Sequence, residues 1–188
     1  MPATLLLVIP LLLFALLALS FVLVLRRAAR VVAQTRELDG FRLGAGDLAT
    51  RIAASLAGAA DRIDAVRRGQ VAADTIIETL DTARDAMERY RAETGALVAP
   101  AGYEQLRARL DEELGRASRA FDMVDHGCAT LTAASVGRAR AAEGQTAIKR
   151  GYLNILHARE AIVEIATNLR SPRPSRTAPR WFSGRSTD

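Results

Sequence analysis

Cysteine, histidine, lysine and aromatic residues are all scarce in this chain of 188 residues. Its single cysteine, Cys128, excludes an intrachain disulfide, and such usage is typical of proteins in a reducing compartment. With two histidines beside that cysteine, few side chains remain for a nucleophilic or metal centre. Lys149 is the one lysine among 26 basic residues, so we interpret the many arginines as a coding bias, not as selected recognition groups.

Sequence motifs of common enzymes are also absent. The chain contains no glycine-rich phosphate loop, no Gly-x-Ser-x-Gly turn and no His-Glu-x-x-His pair. These absences lower the odds of catalysis. We therefore expect a protein that is not an enzyme and that has no cofactor, no metal and no small-molecule substrate.

Proline and strand-like patterns are missing from most of the chain. No proline occurs between Leu11 and Ala99, alanine is frequent, and alternating β-branched runs do not occur. This composition predicts an all-α fold.

Positive charge is concentrated at two places. The net charge of +5 divides into four arginines without an acid at 26–36, a body at 37–170 with a slight acidic excess, and a basic tail at 171–188. A nucleic-acid-binding domain has a basic face on its folded part, so we expect no nucleic-acid partner. Basic ends instead favour anionic lipid head groups. The predicted lipid contacts are Arg26, Arg27, Arg30, Arg36, Trp181 and Phe182.

One long apolar run stands out against these absences. Residues 3–25 contain no charge, and 23 helical residues rise roughly 34 Å, enough to cross a hydrocarbon core of about 30 Å. The arginines that follow favour the cytoplasmic side. The run therefore predicts a single-pass protein of the plasma (inner) membrane, with its N-terminus outside and its C-terminal body in the cytoplasm. A cleaved secretory signal is the alternative, but it needs a basic start and a shorter apolar stretch.

Apolar residues recur at three- and four-residue steps through the rest of the chain, as in bundle helices. Glycines at 40, 44 and 46 predict a break, with Asp47 as an N-cap, and Ala99–Gly102 predicts a turn. The third weak point is Gly144. The expected domains are a transmembrane anchor (1–25), a basic juxtamembrane linker (26–46), a cytoplasmic helical bundle (47–170) and a disordered tail (171–188).

The bundle itself allows two arrangements. Three antiparallel helices, at about 47–95, 103–142 and 146–170, bury their apolar stripes against each other. If Gly144 does not interrupt the chain, the last two helices become one long helix of a hairpin. Positions Gln70 and Arg84 interrupt the apolar stripe of the first helix.

The densest group of potential ligands is Asp122, His126 and Cys128. Asp122 and His126 are four residues apart and share a helix face, but a metal or nucleophilic site needs further ligands or a base from other helices. We interpret Cys128 as a small core residue. The expected function is a membrane-anchored scaffold or adaptor that binds a protein partner or itself, and the alternative is a helical-bundle metal protein or enzyme using this group.

Overall fold

The computed structural model of the chain describes residues 3–133 and 137–171, without the side chains of residues 3–15, 18 and 31. Within these ranges the chain is helical and contains no strand, which confirms the predicted all-α fold. The predicted disordered tail lies outside the described residues from position 172 onward. The helices are α1 (Ala3–Arg67), α2 (Ile77–Ala96), α3 (Glu104–Thr132) and α4 (Arg138–Arg170), with a 3₁₀ turn at Ala73–Ile76 before α2.

The predicted transmembrane anchor is wrong by the criterion of length and hydropathy. Among the residues that the structure describes, no helix combines the length and the apolar character that a membrane crossing requires. This finding also contradicts the predicted localisation in the plasma membrane.

The chain divides into two compact units, residues 1–41 and 42–188. The first unit contains the N-terminal part of α1. The second unit contains the rest of α1 together with α2, α3 and α4, and all the packing described below belongs to it.

The second unit is a four-helix bundle, and side-chain contacts give the order of its helices. Arg51 of α1 pairs with Glu93 of α2 at 2.6 Å, and Arg91 of α2 pairs with Asp111 of α3. The neighbours α3 and α4 meet at Arg109–Glu164 and again at Met123–Asn154, and α4 returns to α1 at Arg170–Thr50. One residue number rises as the other falls from Arg84–Asp122 to Arg91–Asp111, from Arg109–Glu164 to Met123–Asn154, and from Arg67–Tyr152 to Thr50–Arg170, so these three neighbouring pairs are antiparallel. The topology is up-down-up-down, with short connections as this arrangement requires.

The end of α1 is a break that the sequence-based prediction missed, and it makes the count of bundle helices four instead of three. Gly69 has a positive φ of 70°. Its N–H donates to the Val66 carbonyl, and the Gln70 N–H donates to the Ala65 carbonyl, both at 2.9 Å. This is the Schellman arrangement, in which a left-handed glycine ends a helix. Gln70 is therefore an exposed turn residue and not an imperfect position of a helical stripe.

The predicted break at residues 39–46 does not occur, because α1 continues through it. Asp47 is consequently an interior helical residue and not an N-cap. Each glycine costs about 1 kcal/mol of helix propensity. Burial of Ala45, Leu48 and Ala49, all at most 1% exposed, opposes that cost. Tertiary packing here outweighs the local preference.

The predicted weak point at Gly144 is also wrong, because this glycine lies inside α4 and serves helix packing. A Cβ atom on Gly127 would lie 2.7 Å from the carbonyl oxygen of Gly144. A Cβ atom on Gly151 would lie 2.5 Å from Val124 Cγ2. The missing side chains let α3 and α4 approach closely. The connection between these helices falls instead between Ala133 and Gly137.

The predicted turn at Ala99–Gly102 is confirmed. The Tyr103 N–H donates to the Pro100 carbonyl at 3.0 Å, and Gly102 has a φ of 88°. A turn with φ above zero at its third residue favours glycine.

The core consists of apolar residues at helical spacing on each of the four helices. Ile76 is buried, at 2% exposed, whereas the adjacent Ile77 is 45% exposed. Further along α2, Leu80 and Met87 are completely buried, so Ile77 alone of these three lies off the core face. The large side chains that are fully buried are Phe121, Leu48, Ile52, Leu56, Ile63, Ile76, Leu80, Met87, Leu110, Leu114, Ile148 and Ile155.

Candidate functional site

The most unusual surface of the described chain is a segment of α1 at residues 16–25, here called the apolar segment. Every side chain described in it is exposed, and its eight large apolar residues are 44–65% exposed. Ten residues make almost three helical turns, so the apolar side chains surround the helix axis. Helices that are apolar on all sides are normally buried, and large exposed apolar patches mark interaction sites.

The predicted lipid-contact residues fall into two groups. Arg26, Arg27, Arg30 and Arg36 follow the apolar segment on α1 and are exposed. Trp181 and Phe182 lie outside the described residues. Contact of these residues with lipid stays a prediction.

The predicted ligand group Asp122, His126 and Cys128 is not a single site. Cys128 is buried, at 1% exposed, whereas Asp122 and His126 are exposed on the outside of α3. Burial, assisted by the charge of Asp125, raises the pKa of the Cys128 thiol to about 11. A protonated, enclosed thiol is neither a good nucleophile nor a metal ligand. The interpretation of Cys128 as a core residue agrees with this burial.

Asp122 takes part in an ion-pair network instead. Arg84 of α2 lies 3.2 Å from Asp122 and 3.0 Å from Asp125, both on α3, and 2.9 Å from Asp81 on its own helix. Arg84 interrupts the apolar stripe in the sequence because its role is to connect two helices. The pattern of apolar and charged residues along the sequence does not identify the acidic side chains with which such an arginine forms ion pairs.

His126 and Asp122 also border a groove between α3 and α4, together with Glu143 and Arg150. Three potential ligands border this groove. Even so, within the described part of the chain no group of three or more histidine, cysteine or acidic side chains is arranged to hold a metal ion. The groove therefore lacks the geometry that the metal-site alternative requires.

A second cavity, here called the end cavity, lies where α3 begins and α4 ends. Its volume is about 460 Å³, within the range of ligand pockets. Two arginines border it, Arg42 from α1 and Arg109 from α3. No sequence motif marks it, because its residues come from three distant parts of the chain. Its other lining residues are Gly102, Tyr103, Gln105, Leu106, Ile165, Asn168, Leu169 and Ser171.

Comparisons of the chain with protein families, with curated proteins and with solved structures find no match.

Proposed function

We propose that this protein is a helical scaffold or adaptor without catalytic activity, which attaches to a protein partner or to a second copy through the apolar segment. The four-helix bundle is then the body that the attachment holds in place. The exposed apolar side chains at residues 16–25 are the observation that carries this proposal.

The energetics of the apolar segment support a contact with an apolar partner surface. Complete burial of one large apolar side chain contributes about 1.5–3 kcal/mol. These side chains are about half exposed, so burying all eight contributes on the order of 8 kcal/mol. Association costs about 4–15 kcal/mol. Two copies that pair through this segment each bury the side chains that face the other copy, so their combined gain is comparable to that of one fully buried segment and lies within that range.

The first experiment is sedimentation-velocity analysis of the full chain and of a triple variant of the apolar segment. Leu17→Glu, Phe21→Glu and Val24→Glu place three charges on the segment at positions outside the unit that contains the bundle, which begins at Arg42. The wild-type chain sediments as an assembly, and the triple variant sediments as a monomer with unchanged helicity. A matched control carries Leu153→Glu and Val163→Glu on exposed positions of α4 and assembles like the wild type.

Three outcomes would reject the apolar segment as the attachment surface for a protein partner. If the triple variant assembles as the wild type does, the apolar segment is not the attachment surface. If the wild-type chain is monomeric by itself, the same variants are tested for loss of a co-purified partner, and equal recovery of that partner by wild type and triple variant rejects the proposal. Binding of the wild-type chain only to lipid vesicles also rejects it in favour of a lipid partner.

The alternative, a metal protein or enzyme using Asp122, His126 and Cys128, is tested separately. Elemental analysis of the purified chain and of His126→Ala decides it. A stoichiometric metal that His126→Ala loses supports the alternative. Because Cys128 is buried and protonated, we expect the same low metal content in both proteins.

A further inference from the structure

The end cavity carries a positive charge that its own lining does not neutralise. Arg42 donates from Nε to the Leu169 carbonyl at 3.0 Å and from Nη2 to the Ser171 carbonyl at 2.7 Å. These two bonds hold the guanidinium at the C-terminus of α4. Among the residues that the structure describes, its hydrogen-bond partners are carbonyl groups without a formal charge, and two of its five N–H donors make these bonds.

The second arginine of the cavity is already paired. Arg109 Nη2 lies 2.9 Å from Glu164 Oε2. Glu104 accepts a hydrogen bond from the Gly102 N–H at 2.8 Å, but neither Glu104 nor Glu164 belongs to the described lining. The described lining therefore contains two arginines and no acidic residue, and Arg42 is the one of the two whose described partners are carbonyl groups.

The rest of the lining is amphipathic. Ile165 and Leu169 are buried, at 2% and 3% exposed, and together with Leu106 they form the apolar wall of the cavity. Gln105 and Asn168 supply neutral amide groups. Ligand pockets typically combine an apolar surface with a few polar groups that fix the ligand's orientation.

We propose that the end cavity binds a small amphipathic monoanion, a carboxylate with a short apolar chain as its body. The carboxylate contacts the remaining Arg42 donors, because a guanidinium fork matches a carboxylate, and the apolar body lies against Leu106 and Ile165. This ligand is bound and not transformed, which goes beyond the proposed scaffold function and is independent of it.

Arg42 also has a structural role, because it satisfies carbonyl groups that the end of α4 leaves unpaired. A variant of Arg42 alone would mix lost binding with lost stability. The experiment therefore includes a variant that fills the cavity, Leu106→Trp, and a comparison of ligands that needs no variant.

The experiment is isothermal titration calorimetry of the full chain with octanoate, and with octanamide as the matched neutral probe. We expect saturable binding of octanoate at one site and at least tenfold weaker binding of octanamide, a difference of about 1.4 kcal/mol. Leu106→Trp abolishes octanoate binding, Arg42→Gln weakens it about tenfold, and the control Val163→Trp on exposed α4 leaves it unchanged.

The apolar segment is a second place where an amphiphile could bind, and the triple variant of that segment separates the two. Octanoate binding that persists in the triple variant and disappears in Leu106→Trp supports the end cavity. The proposal is overturned by equal binding of octanoate and octanamide, by octanoate binding that survives Leu106→Trp, or by no saturable binding at about 10 mM octanoate, where even a millimolar site is mostly occupied.

Discussion

Replacement of Gly151 by alanine tests whether the close approach of α3 and α4 holds the bundle together. The new Cβ atom would lie 2.5 Å from Val124 Cγ2 and 2.7 Å from the backbone oxygen of Ala120. Unstrained non-bonded carbon atoms lie about 3.5–4.0 Å apart. Val124 can turn away, but the Ala120 oxygen belongs to the backbone of α3, so the two helices must separate.

The magnitude follows from two opposing effects. Overpacking typically costs about 1–3 kcal/mol, and we expect the upper end because one of the contacts is with backbone. Alanine gains about 1 kcal/mol over glycine in a helix interior. The net loss of unfolding free energy is therefore about 2 kcal/mol, which lowers the Tm by roughly 4–8 °C for a chain of this size.

Gly58→Ala is the matched control, because Gly58 is an exposed residue inside α1 and no atom lies within 4 Å of its would-be Cβ atom. Gly58→Ala raises the free energy of unfolding by about 1 kcal/mol. Gly127→Ala behaves like Gly151→Ala. The unfolding free energy of Gly144→Ala lies between those of Gly58→Ala and Gly151→Ala. The nearest contacts of its new Cβ atom are 3.0 Å to the Gly127 oxygen and 3.1 Å to the flexible Leu131 side chain.

The measurement is urea unfolding of the full chain followed by far-UV circular dichroism. The reasoning predicts a gap of about 3 kcal/mol between Gly151→Ala and Gly58→Ala. If the two variants differ by less than about 0.5 kcal/mol, the glycines of α4 do not set the distance between the helices.

Three further predictions concern single side chains. The Cys128 thiol, whose pKa burial raises to about 11, reacts with iodoacetamide at pH 8 only after unfolding, and comparable rates in native and unfolded protein would contradict this. Asp64→Asn lowers stability at pH 7, because the hydrogen bond and charge of Arg67 hold the Asp64 pKa below its ordinary value of 3.8. The stabilising contribution of Asp64 is therefore complete above about pH 4 and is lost as the pH falls through the lowered pKa. A stability difference between variant and wild type that persists at pH 1.5 in urea unfolding would refute this prediction. Arg84→Gln costs about 1 kcal/mol in low salt and less in 1 M NaCl, whereas the exposed control Arg89→Gln changes little, and a salt-independent loss would argue against the ion-pair network.

The helical nature of the fold and most of its core could be predicted from the sequence. Leu110, Leu114 and Phe121 are completely buried, as their spacing of three and four residues indicated. This works because an amphipathic stripe is a local property of the chain. The turn at Ala99–Gly102 was predictable for the same reason, since a proline and a glycine act within a few residues.

The candidate sites were much less predictable. The end cavity takes Arg42, Arg109 and Asn168 from three separate helices, so no spacing along the chain identifies it. Asp122 and Cys128, two of the most promising potential ligands in the sequence, lie on the surface and in the core, respectively. Their proximity along the helix carried no information about which direction each one faces relative to the neighbouring helices.

What the sequence determined by itself is that this chain forms long helices with apolar faces, because helix propensity and periodicity operate over a few residues. Only the tertiary structure decided which glycines end helices and which lie between them. Gly69 ends α1 with a left-handed conformation, whereas Gly144 and Gly151 stay helical and face another helix. All three residues lack a side chain. Their different roles depend on whether a second helix occupies the space that a side chain would need.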